Sequence, residues 1–223
     1  MKICIVSATQ MEVQPLLEAL KNNFTEYQPY HFIKGEKEVD LLITGVGAVQ
    51  TVYSLTKYLQ HVPPDLCIQA GIAGAYSTEL TIGTVCSVIE EIFADLGAED
   101  QEGQFIDAFQ LGLIHADQPP FHNKRLLNPG AAEMSFLPKA KSISSNLASG
   151  TQETIDKQMN RYQPDIESME GAAFFYTCLL EKVSFLEIRS ISNAVEVRDR
   201  TRWDIPLAIK NLNSVLIEMI ESL

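Results

Sequence analysis

The chain has 223 residues, 46% of them hydrophobic and 21% charged, with a formal net charge of −12 from 29 acidic and 17 basic residues. That length can bury a substantial core, and an acidic chain without a basic stripe is a poor partner for nucleic-acid backbone or an anionic membrane surface. No apolar run nears the roughly 18 residues that span a bilayer, no Pro/Gly/Ser-rich linker divides the chain, and the opening run reads as a strand rather than a signal peptide. One domain in the cytoplasm is expected.

Lys2 to Ala8 is a continuous apolar run, expected as a parallel strand buried on both faces. It passes through Thr9, Gln10 and Met11 into a helix from about Glu12 to Lys21, with Pro15 in the first turn, where it is tolerated. Tyr30 to Phe32 and Lys37 to Thr44 read as strands. Gly45, Val46 and Gly47 form a turn into a helix ending near Gln60. A strand from Leu66 to Ala70 is expected to end in the turn Gly71-Ile72-Ala73-Gly74, and Thr84 to Phe93 reads as another strand. Residues 95–140 lack periodicity and read as an excursion with room for one short strand and helix. A strand over Lys141 to Ser149, a helix over Gln152 to Tyr162, a helix from Met169, a strand from Val183 to Ile191 and a helix from Ile205 to Glu221 complete the chain. This alternation predicts an α/β fold, a single domain over residues 1–223 with a central mostly parallel mixed sheet flanked by helices.

Cys4, Cys67, Cys86 and Cys178 form no CxxC pair and lie in apolar runs, which predicts buried thiols. His31, His61, His115 and His122 lack the i, i+4 spacing of helical ligands, so no metal site is expected.

Several residues fall where strands end, and in parallel α/β folds ligands bind outside the carboxyl ends of strands. Gly45-Val46-Gly47 begins like a dinucleotide fingerprint, but Gln50 replaces its third glycine and no acid follows at the expected place. The glycines fit a tight turn or a close backbone approach to a ligand instead. Glu12 is either a carboxylate stabilised by a helix dipole or one placed to activate water. Glu170 opens a helix of small residues and has the same two readings, with a carboxylate suited to accepting two hydrogen bonds from a vicinal diol. Arg189 lies within an apolar strand and needs a carboxylate, which Glu12 or Glu187 could supply. Ser192 and Asn193 follow at the strand end, and Asn is a common turn residue. Arg198, Arg200, Arg202 and Trp203 form the one basic cluster, either a solvated helix start or an anion clamp with an aromatic wall.

Taken together, Glu12, Gly45-Val46-Gly47, Gly71-Ile72-Ala73-Gly74, Met169-Glu170-Gly171-Ala172-Ala173 and Arg189-Ser190-Ile191-Ser192-Asn193 resemble the purine nucleoside phosphorylase and nucleosidase superfamily. The resemblance runs almost end to end and is weakest over 95–140. It implies a nucleoside phosphorylase-like fold, no cofactor and a homodimer. It also implies Met169 and Glu170 on ribose, Glu12 orienting or activating water with Arg189 nearby, residues 72–74 (Ile72, Ala73, Gly74) lining the site, and residue 193 meeting the purine. Within the superfamily the chain is similar to the futalosine hydrolases of menaquinone biosynthesis, and also to methylthioadenosine/S-adenosylhomocysteine nucleosidases.

Adenine-specific members of the superfamily carry an aspartic acid where this chain has Asn193. An amide donates but cannot serve as a general acid. It can donate to O6 or N7 of a 6-oxopurine, and a buried polar contact left unmatched costs ~1–3 kcal/mol, so Asn193 favours hypoxanthine over adenine. The source of any N7 proton stays open, water being one candidate. The superfamily's phosphorylases hold phosphate with arginines of the N-terminal half, whereas this chain has no arginine before Arg125, so water is the expected nucleophile. The carboxyphenyl arm of futalosine would require an apolar channel ending in a cation, for which Arg198, Arg200, Arg202 and Trp203 are candidates. A methylthioadenosine-type nucleosidase, an inosine phosphorylase and a nucleoside-binding protein without turnover are the alternatives.

Overall fold

The computed structural model describes residues 1–61, 63–130 and 136–223. In chain order the strands and helices are β1 (Lys2–Ser7), α1 (Gln14–Asn23), β2 (Thr25–Gln28), β3 (His31–Lys34), β4 (Lys37–Ile43), α2 (Ala48–His61), β5 (Leu66–Ala75), β6 (Val85–Phe93), β7 (Gly97–Glu99), β8 (Phe105–Asp107), β9 (Leu126–Leu127), β10 (Lys139–Ser144), α3 (Gln152–Tyr162), β11 (Ile166–Ser168), α4 (Gly171–Glu181), β12 (Phe185–Ala194) and α5 (Ile205–Ser222).

The central sheet runs β11-β10-β6-β12-β5-β1-β4-β3-β2, with β9 on β6 and a further pairing of β11 with β5. β4, β1, β5 and β12 are mutually parallel, and so are β6, β10 and β11. The two groups meet antiparallel at β12–β6 and at β11–β5. The second contact closes five strands into a circuit and brings Glu167 opposite Gly74. It thereby carries the start of α4 to the carboxyl ends of β5 and β12.

Helices cover both faces. α1 and α5 present Leu16, Leu17 and Leu20, and Leu212, Leu216 and Met219, to one side of β1 and β5. On the other side α2 and α4 contribute Leu55, Leu59, Phe174, Phe175 and Cys178. α4 is apolar nearly all round, as befits a helix buried by its neighbours. The four cysteines are free and buried, as their apolar settings predict.

Several boundaries differ from the sequence reading. Gly71-Ile72-Ala73-Gly74 is not a turn but the second half of β5, which pairs with β12 throughout. Asn193 likewise lies inside β12, just after a bulge, rather than in a turn. β10 stops at Ser144, so residues 145–149 are loop. Glu12 sits in a 3-10 turn (Gln10–Val13) ahead of α1, because it caps that turn itself. The 95–140 excursion holds the β7–β8 hairpin and β9, with no helix among its described residues, and 131–135 lie outside the description.

Candidate active site

A cavity of about 310 Å³ opens at the carboxyl ends of β1, β5 and β12. Its lining includes Thr9, Glu12, Ile72, Ala73, Gly74, Met169, Glu170, Ser192, Asn193, Arg198 and Trp203. A larger cavity of about 580 Å³ lies at the other end of the strands, by Leu66, Phe185 and Met219, and its walls are mostly apolar. The smaller cavity collects the convergent carboxylates and amide that chemistry on a polar ligand requires.

Glu12 is fixed by a capping box: its Oε2 accepts from Thr9 N at 3.0 Å and Thr9 Oγ1 at 2.8 Å. Its Oε1 accepts from Ile72 N at 3.1 Å. The acid therefore binds the strand end to its own turn and is held beside the cavity in one orientation.

Glu170 is the N-cap residue of α4 and is 6% exposed. Its Oε1 accepts from Gly47 N at 3.0 Å, while Oε2 lies 3.8 Å from Arg189 Nη1. Gly47 has φ +90°, a conformation only glycine adopts without strain. The glycine turn thus holds a carboxylate.

Arg189 is fully buried beneath the cavity rather than lining it. Its Nε donates to Glu187 Oε1 at 2.7 Å, and its guanidinium lies under Gly71, close to Glu12. Burial works against its charge, but Glu187, Glu170 and Glu12 more than offset that and hold the guanidinium protonated.

Asn193 approaches Gly74, where a side chain would have intruded on its amide: a Cβ there would lie 3.2 Å from Nδ2. Ser192 Oγ donates to Asn193 Oδ1 at 2.7 Å, and Nδ2 donates to Ala194 O at 2.9 Å. The amide's acceptor is thereby occupied and its orientation set, leaving a second N–H on Nδ2 as the group to offer a ligand. The bulge between Ile191 and Asn193 turns this side chain to the cavity, a common use of bulges next to sites.

Arg198 and Trp203 stack at the mouth, with the guanidinium carbon 5.1 Å from the ring centroid. Arg200 lies outside the lining, over the same ring at 5.9 Å, and Arg202 is paired to Glu196.

Sequence reasoning gave no role to Glu167, Tyr76 or Ser149. Glu167 Oε2 accepts from Tyr76 OH at 2.8 Å and Oε1 from Ser149 N at 3.0 Å. Burial, then the Glu167 charge, raises the Tyr76 phenol. The missed signal was the paired acids of Glu167-Ser168-Met169-Glu170; the loop 145–149 was hidden by the expected longer strand.

A family model described as the Phosphorylase superfamily matches residues 2–221. The chain belongs to that superfamily. Among relatives, a futalosine hydrolase of Thermus thermophilus is 32% identical over 82% of this chain and 84% of its own length. A 5'-methylthioadenosine/S-adenosylhomocysteine nucleosidase of Maridesulfovibrio salexigens is also 32% identical, over 87% of each chain. The structure of a futalosine hydrolase from Helicobacter pylori strain 26695 superposes with a TM-score of 0.79 at 18% identity, covering 100% of this chain and 98% of that one. The last likeness establishes the shared fold.

Proposed function

We propose that this chain is an N-glycosyl hydrolase that cleaves the ribosidic bond of futalosine and releases hypoxanthine. The observation that carries the choice of base is Asn193: its Oδ1 is engaged by Ser192, so it presents N–H to the purine. A 6-oxopurine offers O6 and N7 as acceptors, whereas adenine offers an amine in place of O6.

In this reading Glu170 accepts from the ribose hydroxyls while Gly47 N holds it from behind. Glu12 orients the attacking water and accepts its proton as positive charge develops on the sugar. Asn193 stabilises the electrons leaving with the base, which takes its proton from solvent water as Glu12 gives up its own to solvent. The rate then comes from orientation and fixed charge, with no cofactor step. Arg198 on Trp203 gives the cationic, aromatic end that a carboxyphenyl arm requires.

Hydrolysis of a methylthioadenosine-type nucleoside is the second reading, favoured by the equal identity of the Maridesulfovibrio salexigens relative. The nucleophile is tested by turnover in phosphate-free buffer: an unchanged rate on adding phosphate, with free sugar as product, supports water. A rate that requires phosphate and yields a sugar phosphate overturns it.

A homodimer is part of the proposal. Val49 is 80% and Tyr53 68% exposed on α2, beside a shallow apolar groove with Val52. Light scattering at micromolar concentration tests it, with twice the 24.8 kDa chain mass as the expected result. No helix among the described residues is long and apolar enough to cross a membrane.

A further inference from the structure

Behind the cavity lies a set of buried acids that the reaction does not use directly. Glu91 on β6 and Glu187 on β12 are both 0% exposed. They meet at Gly171, the first residue of α4: a Cβ there would overlap the Glu91 carboxylate and sit 2.7 Å from Glu187 Oε1. Glycine at 171 therefore makes the space the two carboxyl groups share. Glu91 Oε2 accepts from Ser144 Oγ at 2.9 Å, and Ser144 Oγ accepts from Ala172 N at 2.8 Å. Glu91 Oε1, Glu187 Oε2, Arg189 Nη2 and the neighbouring Gln69 Oε1 have no protein partner among the described residues.

The charges do not balance if every acid is ionised. Arg189 is the buried cation here, and it faces Glu187 on its own strand, Glu170 before α4 and Glu12 from the 3-10 turn. Glu91 adds a fourth carboxyl group from β6, and the start of α4 adds a partial positive charge beside it. The groups packed around them include the Ser142 and Ser144 hydroxyls of β10 and the Cys86 thiol of β6, and Asp165, just ahead of β11, adds a weaker acidic influence on that thiol. Two carboxylates in one buried space cannot both ionise cheaply, so such pairs hold a proton between them. Burial raises both groups, and at Glu187 the Arg189 charge, then its direct hydrogen bond, opposes this.

We propose that Glu91 and Glu187 share one proton, held mainly on Glu91, and that anionic Glu187 is the positioning residue that fixes Arg189 beneath Glu12 and Glu170. The pair acts through Arg189 and touches no substrate. It deepens the nucleosidase reading, since Arg189 matters only if Glu12 and Glu170 do the chemistry, but the proton itself does not depend on which nucleoside is cleaved.

Two measurements test this. The first is difference infrared spectroscopy of wild type against Glu91→Gln at neutral pH, without substrate. A neutral carboxylic-acid carbonyl band present in wild type and absent in the variant is expected; no such band, or one that survives the substitution, overturns the proposal. The second is the pH profile of kcat/KM on whichever nucleoside turns over. Glu187→Gln removes an anion beside Arg189, so more of the guanidinium charge acts on the cavity carboxylates. The acid limb should move down by about one pH unit, with a plateau about tenfold lower. Glu91→Gln replaces a neutral group by a neutral group, so its acid limb should stay in place. Equal shifts in both variants would mean both glutamates are charged, against the proposal. If Glu187→Gln fails to fold, the infrared comparison decides alone, and it stands even if the chain cleaves no nucleoside tested.

Discussion

Gly71 and Arg189 are partners in register across β5 and β12, and a Cβ on Gly71 would overlap the Arg189 guanidinium. The same Cβ would lie 3.0 Å from Glu12 Oε1. One absent methyl group therefore lets the buried cation and the site acid approach each other. Gly71→Ala should lower stability by about 1–3 kcal/mol, as overpacking does. It should reduce kcat/KM about a hundredfold at temperatures where the variant is fully folded, because a small displacement of a positioned group is costly. Steady-state kinetics beside a thermal melt checks this; activity lost only in proportion to unfolded protein would contradict it.

Glu12 has both oxygens engaged by Thr9 and Ile72, so its side chain is positioned before substrate arrives. Replacing it with Gln should keep nucleoside affinity within a few-fold while turnover falls about 10²- to 10⁴-fold, the range of a lost general base. Equilibrium binding and single-turnover rates separate the two effects.

Much of this arrangement was legible in the sequence because its signals are local. The apolar run of β1, the acid after it and the small-residue start of α4 mark themselves. Pairing is not local. Gly71-Ile72-Ala73-Gly74 looked like a turn because glycine usually breaks strands, yet here the glycines make room for Arg189 and Asn193 across β12. The β11–β5 contact that brings Glu167 to Gly74 joins residues far apart in the chain, and no spacing announces it. Arg200 was grouped with Arg198 by sequence proximity, but the 3-10 turn of Arg200–Arg202 leaves it outside the lining.

Asn193→Asp restores an acid where the amide now donates. The hypoxanthine nucleoside should lose about ten- to a hundredfold in kcat/KM, the worth of a buried polar contact left unmatched. Activity on an adenine nucleoside should rise. Competition between the two substrates in one vessel reads the change directly, and an unchanged ratio would remove Asn193 from base selection.

Burial first, and then Glu187, holds the Glu91 carboxyl well above the ordinary carboxylate range. The unfolded chain releases that proton near pH 4.3 and the folded chain does not. Stability tied to Glu91 is therefore full below that pH and declines as pH rises, by up to about 1.4 kcal/mol per unit until the folded group titrates. Glu91→Gln should melt above wild type at pH 7, with the gap closing toward pH 4. A gap that widens on acidification would contradict this.

Burial pushes the Cys86 thiol up to about 12, with Glu187 adding to it, and burial likewise raises Cys4 and Cys178. The thiolate is the reactive form. These thiols should resist an aromatic disulfide reagent at pH 8 in the native protein and react promptly in denaturant. Rapid native labelling would show that the core opens far more readily than its packing implies.

The central claim is tested most directly by chromatography of the base released from futalosine, methylthioadenosine and inosine, each with and without phosphate. Hypoxanthine from futalosine is expected, at a rate indifferent to phosphate, with little adenine from methylthioadenosine. Adenine as the main product, or release that depends on phosphate, would contradict it.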